Sequence, residues 1–109
     1  MSDVKTEMPV LDQVMRMNLD SVEHSKLDPR TFMEVRIAAL AATGAAPIAW
    51  ATNLGAGAEV GLTVEDVQGV LVAITPLIGT ARTVAAAGNA LRGLGMIAVA
   101  GAAAEDEDA

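Results

Sequence analysis

The stretch Asp28–Asn89 reads DPRTFMEVRIAALAATGAAPIAWATNLGAGAEVGLTVEDVQGVLVAITPLIGTARTVAAAGN, and its punctuation decides the fold. Asp28-Pro29 is a helix start, with Asp28 as N-cap and Pro29 as the first helical residue. Gly44 ends that helix, Pro47 opens the next, and Gly61 stops it as a C-terminal glycine does. Thr63-Val64-Glu65-Asp66 resembles a capping box, with Asp66 where Glu is preferred. Pro76 removes one helical hydrogen bond and predicts a kink or an end near Thr75. Gly79-Thr80 restarts the chain, with Thr80 as N-cap of a last helix. No segment carries a convincing strand pattern.

Outward from this stretch the pattern stays helical. From Pro9 to about Ser25, Val10, Leu11, Val14, Met15 and Val22 recur at helical spacing, with Asp12, Arg16, Asp20 and Glu23 between them. This is an amphipathic helix that covers something. Val67, Val70, Leu71 and Ile74 form the core stripe of the fourth helix, and Val84, Leu91 and Met96 carry the fifth. Gly55 and Gly57 cost the third helix about 1 kcal/mol each relative to alanine. The expected return is close backbone approach by a neighbouring helix. The reading is therefore all-α, a bundle of about five helices. Residues 1–101 form a single domain, and residues 102–109 form an acidic tail expected to be disordered.

Composition narrows the function classes. The 109 residues are 52% hydrophobic, yet hold one Trp, one Phe and no Tyr. A core of alanine and glycine buries little area per side chain, so helices must approach closely and burial against other subunits is a natural supplement. The net charge is −7, and the four acids of the run Glu105–Asp108 account for more than half of it. An acidic chain with seven scattered Lys and Arg has no footprint for nucleic acid. With no Cys, disulfides, thiolate metal sites and thiol nucleophiles are excluded. The start MSDVKTEMPV shows no leader, so a cytoplasmic location is expected. The uncharged run Ile37–Ala58 is long enough to span a bilayer, but Thr43, Gly44, Pro47, Asn53, Gly55 and Gly57 interrupt it. A buried hairpin is the expected structure there.

The helix punctuation from Gly61 to Asn89, with its GLTVEDV start, its glycine at 79 and its alanine-rich last helix, resembles the carboxymuconolactone decarboxylase and AhpD-like family. The resemblance covers about two-thirds of the chain, and the GTARTVAAAGNAL segment resembles a cysteine-free branch. Glu34 falls where the family has its glutamate, and Asn53, nineteen residues later, where it has its histidine. Ala46 and Ala49 occupy the two CxxC positions of AhpD-like members. Ala73 stands where such enzymes often carry another histidine. The resemblance implies an AhpD-like helical bundle that is one subunit of a homo-oligomer, commonly a trimer or hexamer. For true decarboxylases it implies decarboxylation of a lactone acid, and for AhpD-like members thiol peroxidase or disulfide reductase chemistry. Without cysteines the second cannot run.

What remains polar inside the stretch supplies the candidates. Glu34 heads an apolar stripe of Ile37, Ala38 and Ala41, where a carboxylate can act as catalytic acid or base; its structural alternative is an ion pair with Arg30, one turn back. Asn53 shares a face with Ala49, Ala56 and Gly57 and needs a hydrogen-bond partner, either a ligand or a neighbouring helix. Trp50, one turn before it, can wall a pocket or simply pack. Arg82 sits in the first turn of the last helix, where a cation opposes the helix dipole. An acid from another subunit or a ligand carboxylate should compensate it. His24 is the only histidine and makes no transition-metal cluster by itself. No metal and no cofactor are expected.

Two function classes follow. One is a binding or structural homo-oligomer without thiol chemistry. The other is a thiol-independent decarboxylase or isomerase acting on a small carboxylic acid or lactone, with Glu34 as acid or base and Asn53, Trp50 and Arg82 as ligand-binding residues. A peripheral membrane role for the Pro9–Ser25 helix is a poorer third, because its mixed charge suits anionic lipid badly.

Overall fold

The computed structural model describes residues 8–108; the first seven residues, part of the stretch read for a leader, and Ala109 lie outside the described residues. Five helices follow one another: α1 Pro9–Ser25, α2 Pro29–Thr43, α3 Pro47–Glu59, α4 Val64–Ile78 and α5 Thr80–Asp108. Among the described residues there is no strand. The all-α class and the helix order expected from the sequence are both found.

The caps behave as their chemistry requires. Asp28 accepts from the Thr31 backbone N–H at 2.7 Å and from its hydroxyl at 3.0 Å. Gly44 ends α2 in the left-handed region at φ 71°. Gly61 turns the chain at φ 86°, and the Leu62 N–H returns to the Gly57 carbonyl at 2.9 Å. The box at α4 is complete: the Thr63 hydroxyl accepts from Asp66 N–H at 3.1 Å, and the Asp66 carboxylate accepts from Thr63 N–H at 2.8 Å. The same carboxylate oxygen pairs with Arg30 of α2, so one cap also ties two helices.

Both capping carboxyls lie below their ordinary value of 3.8. For each the leading cause is a backbone N–H, from Thr31 for Asp28 and from Thr63 for Asp66, followed by the hydroxyl of the same threonine. A carboxyl held low in the folded state contributes stability above its unfolded value, and that contribution is lost as pH falls through the folded value. The urea midpoint is therefore expected to lose this contribution below about pH 4. Asp28→Asn combined with Asp66→Asn should flatten that part of the pH profile.

The core lies where α2, α3, α4 and α5 meet. Ile37 and Trp50 are fully enclosed, and Met33, Ala41, Leu54, Leu62, Val67, Ala86 and Ala90 complete the buried set. Val70, Leu71 and Ile74 of the predicted α4 stripe pack against it half-buried. The expected hairpin of 37–58 is the α2–α3 pair. α5 has its most extensive contact with α3, and α2 touches α3, α4 and α5.

Three expectations are corrected. Pro76 does not end or break α4, which continues to Ile78. Pro76 and Val72, the residue whose carbonyl it leaves free, both lie on the exposed side, where water can take the place of the lost bond. Thr80 is not an N-cap but the first helical residue. Gly79 fills the junction, and its carbonyl accepts the Thr83 N–H at 3.1 Å. Close helix approach is not at Gly55 or Gly57: Gly55 faces open space and Gly57 lies under the Leu62 side chain, whereas Gly93 of α5 lies against the α3 backbone. α5 is drawn to Asp108, over the residues read as an acidic tail.

By length and composition alone, Thr80–Ala104 in α5 is long and apolar enough to cross a membrane. Its Ala86 and Ala90 are buried and its Gly93 lies against Trp50 and Pro47 of α3, while most of that span is exposed. α1 stands apart: none of its residues is buried.

Candidate functional site

The family-like positions cluster around the start of α3. Ala46 is the N-cap of that helix and has no side-chain oxygen to offer. Ala49 lies one turn on, and its carbonyl accepts from Asn53 Nδ2 at 2.9 Å. A helix N-terminus is where a thiolate is stabilised, so methyl groups at 46 and 49 leave that electrostatic advantage without a nucleophile to use it.

Asn53 is buried, and both ends of its amide are used. Its Oδ1 accepts from Arg36 Nε at 2.9 Å. Another guanidinium nitrogen of Arg36 donates to Asn18 Oδ1 at 2.8 Å, and the guanidinium carbon lies 5.3 Å from the Phe32 ring centre. A chain of polar contacts thus runs Asn18–Arg36–Asn53, from α1 through α2 to α3. Arg36 was missed in the sequence. The available signal was the need of a buried amide for a partner, with Arg36 the last charge before the uncharged run. Arg36→Leu is expected to cost about 1–3 kcal/mol by leaving the buried Asn53 oxygen unpaired. Adding Asn53→Leu should recover part of that loss, so a double-mutant cycle by urea denaturation should show coupling.

The other candidates lie apart in function. Glu34 on α2 is half-buried. Its expected partner Arg30 is engaged by Asp66 instead, and among the described residues Glu34 has no hydrogen bond or ion pair. Trp50 is part of the core, with no exposed surface, and its indole N–H has no partner among the described residues. Arg82 donates to the Ala42 carbonyl at 2.6 Å. The cation that opposes the dipole of α5 is thus compensated by the negative end of α2, a helix terminus of the same chain. Asp20, Glu23 and His24 gather on the exposed side of α1, where His24 Nδ1 lies 2.9 Å from the Asp20 carbonyl oxygen.

A well-formed concavity lies elsewhere. A groove of about 260 Å³ runs between the end of α3, α4 and the middle of α5, lined by Leu54, Leu62, Val67, Leu71, Ala90 and Leu94 among others. Thr63 and Gln68 are its polar side chains. Glu34, Asn53, Trp50 and Arg82 do not line it. Sequence reasoning missed it because its walls come from three helices whose relative rotation no single-helix pattern reveals.

The model of the carboxymuconolactone decarboxylase family matches residues 9–92. The chain belongs to the carboxymuconolactone decarboxylase family. No curated protein and no solved structure matches it. The match spans α1 to the middle of α5 and includes Arg36 and Asn53, the residues that build the polar chain. This family member has no cysteine anywhere in its sequence.

Proposed function

We propose that this carboxymuconolactone decarboxylase-family chain is a non-thiol binding or structural homo-oligomer. The observation that carries the reading is Asn53. At the position where the family resemblance places a histidine, the side chain is committed at both ends: its oxygen accepts from Arg36 of α2, and its nitrogen donates to the Ala49 carbonyl of its own helix. With Ala46 and Ala49 at the CxxC positions, the reactive centre has become part of the frame. Assembly is supported by the distribution of apolar residues. Among the described residues nine hydrophobic ones are buried, three of them alanine, while twenty-one large ones are more than a third exposed. A protomer whose large apolar side chains lie mostly outside gains by covering them against copies of itself. The family resemblance favours a trimer or hexamer.

The second reading, a thiol-independent decarboxylase or isomerase, is favoured by Glu34. Of the four candidates it is the one carboxyl group, and no hydrogen-bond or ion-pair partner among the described residues occupies it. A small carboxylic acid or lactone is the substrate class.

One pair of measurements separates the readings. Light scattering on the intact chain should give a mass several times that of the protomer; a monomer would overturn the homo-oligomer. A panel of lactones and β-keto acids should give no turnover. Saturable turnover lost in Glu34→Gln would replace the binding reading with the enzymatic one.

A further inference from the structure

We infer that Arg36 anchors a binding site for a small carboxylate ion, and that the Asn18 amide holds the ligand's place. The site rests on the non-thiol binding reading and gives it a residue and a ligand class.

Arg36 differs from the other cations. Among the described residues it is the one Lys or Arg that is not exposed. Arg30 pairs with Asp66, and Arg82 meets the Ala42 carbonyl. A guanidinium taken partly out of water needs an opposite charge or a full set of acceptors. Among the described residues Arg36 has neither. Its partners there are two neutral oxygens, Asn53 Oδ1 on Nε and Asn18 Oδ1 on Nη2. Nη1 meets no acceptor among the described residues, although a guanidinium has five N–H groups to satisfy.

The helix pattern keeps nearby acids turned away. At 3.6 residues per turn, Glu34 lies roughly 160° around α2 from Arg36. Asp12, Asp20 and Glu23 lie roughly 120–160° around α1 from Asn18, the residue that faces the guanidinium. α3 carries no acid before Glu59. One guanidinium balances one negative charge, and no other cation shares its partners among the described residues. The chain already carries a net charge of −7, so a monoanion fits better than phosphate. A planar carboxylate also matches the guanidinium fork with both oxygens.

The guanidinium is held ready on one side and loosely covered on the other. Asn53 is buried and its amide nitrogen is bound to the Ala49 carbonyl, so the oxygen on Nε is fixed in place. The Phe32 ring, 5.3 Å from the guanidinium carbon, supports the group further. Asn18 is the weak member. It comes from α1, which has no buried residue and packs extensively against no other helix. Among the described residues its bond to Arg36 is the one hydrogen bond from α1 to another helix. A carboxylate oxygen makes a shorter and stronger bond to a guanidinium than a neutral amide oxygen does, and a carboxylate takes two N–H groups at once. The ligand therefore replaces Asn18 on Nη2 and reaches Nη1 with its second oxygen.

The probe is sodium benzoate, compared at constant ionic strength with neutral benzamide and with inorganic phosphate. The readout is the Arg36 Nε–H signal in a proton–nitrogen NMR spectrum, identified by its loss in Arg36→Gln. Benzoate is expected to shift this signal saturably, while benzamide and phosphate leave it in place. Asn18→Asp, on the weakly packed helix, should keep its helical circular dichroism and set a carboxylate of the chain's own beside Arg36. Benzoate should then bind about tenfold more weakly or worse. A signal that benzoate does not move overturns the site, as does an equal shift with benzamide or phosphate, or full affinity in Asn18→Asp. Light scattering on the same samples separates the site from assembly. An oligomer that ignores benzoate overturns the carboxylate site and leaves the homo-oligomer standing; a monomer that takes benzoate does the reverse. If the oligomer ignores benzoate and its mass falls in folded Arg36→Gln, the guanidinium serves an acid of a second copy and the free ligand is overturned.

Discussion

Replacing Trp50 by alanine is expected to remove about 3–5 kcal/mol of stability, roughly a fifth or more of what a domain of this size has in total. Trp50 has no exposed surface, and it is the only aromatic residue of a buried core in which three of the nine hydrophobic members are alanine. Alanine there leaves a cavity that Ala41, Ala86 and Ala90 are too short to fill. Trp50→Phe separates packing from polarity. The indole N–H has no partner among the described residues, so phenylalanine forfeits no hydrogen bond seen there, and only part of the ring volume is lost. A penalty near 1 kcal/mol is expected for phenylalanine, in line with conservative changes of size. Both losses are read by urea denaturation followed by circular dichroism, because each variant lacks the fluorophore. A phenylalanine loss as large as the alanine loss would mean that the N–H has a partner in the assembled protein.

The sequence made the termini of elements legible and left their rotation hidden. Asp28, Gly44, Gly61 and the Thr63–Asp66 box act within four residues, and their backbone chemistry does not depend on what packs above them. The helix starts at Pro9, Pro29 and Pro47 were therefore readable. Rotation is set by contacts between helices. The pattern in α5 followed Val84, Leu91 and Met96, yet the face that packs is Ala86, Ala90 and Gly93, with Val84 and Leu91 turned outward. Large residues mark a core face when space is ample. Here the core is thin, and small residues mark it instead. The same cause hid Arg36. A cation looks like surface in a helical pattern, but its stem can lie along an apolar face while its head reaches Asn53 and Asn18.

The candidate site divides the same way. The positions of Ala46, Ala49 and Asn53 were legible from the family spacing, and the absence of thiol chemistry from the lack of cysteine. What Asn53 does was open between ligand and helix contact, and the Arg36 hydrogen bond favours the frame. Arg82 shows the limit most clearly. Its position against the α5 dipole raised the expectation of an acid from another subunit or a ligand carboxylate, whereas the group it meets is a carbonyl at the end of α2, which no local pattern could place beside it.

Gly93→Val is expected to cost about 3 kcal/mol, the upper part of the usual range for overpacking a filled interior. A Cβ at residue 93 would lie 2.8 Å from the Ala51 nitrogen, 2.8 Å from Trp50 Cβ and 3.1 Å from the Pro47 carbonyl oxygen. Two of these three atoms belong to the α3 backbone and the third is fixed to it, so no rotamer change relieves the clash. The two helices must separate, and separation opens the packing around Trp50. Gly93→Ala meets the same contacts with fewer atoms and should cost about 1–2 kcal/mol, the overpacking penalty reduced by alanine's better helix propensity of about 1 kcal/mol. Gly95 supplies the internal control, since a Cβ there meets nothing within 4 Å. Gly95→Ala should therefore stabilise by up to about 1 kcal/mol. Opposite signs at two glycines of one helix, two residues apart, would locate the α3–α5 contact by thermal denaturation alone. If Gly93→Ala is as stabilising as Gly95→Ala, the close approach of α5 to α3 is absent in solution and the packing around Trp50 is wrong.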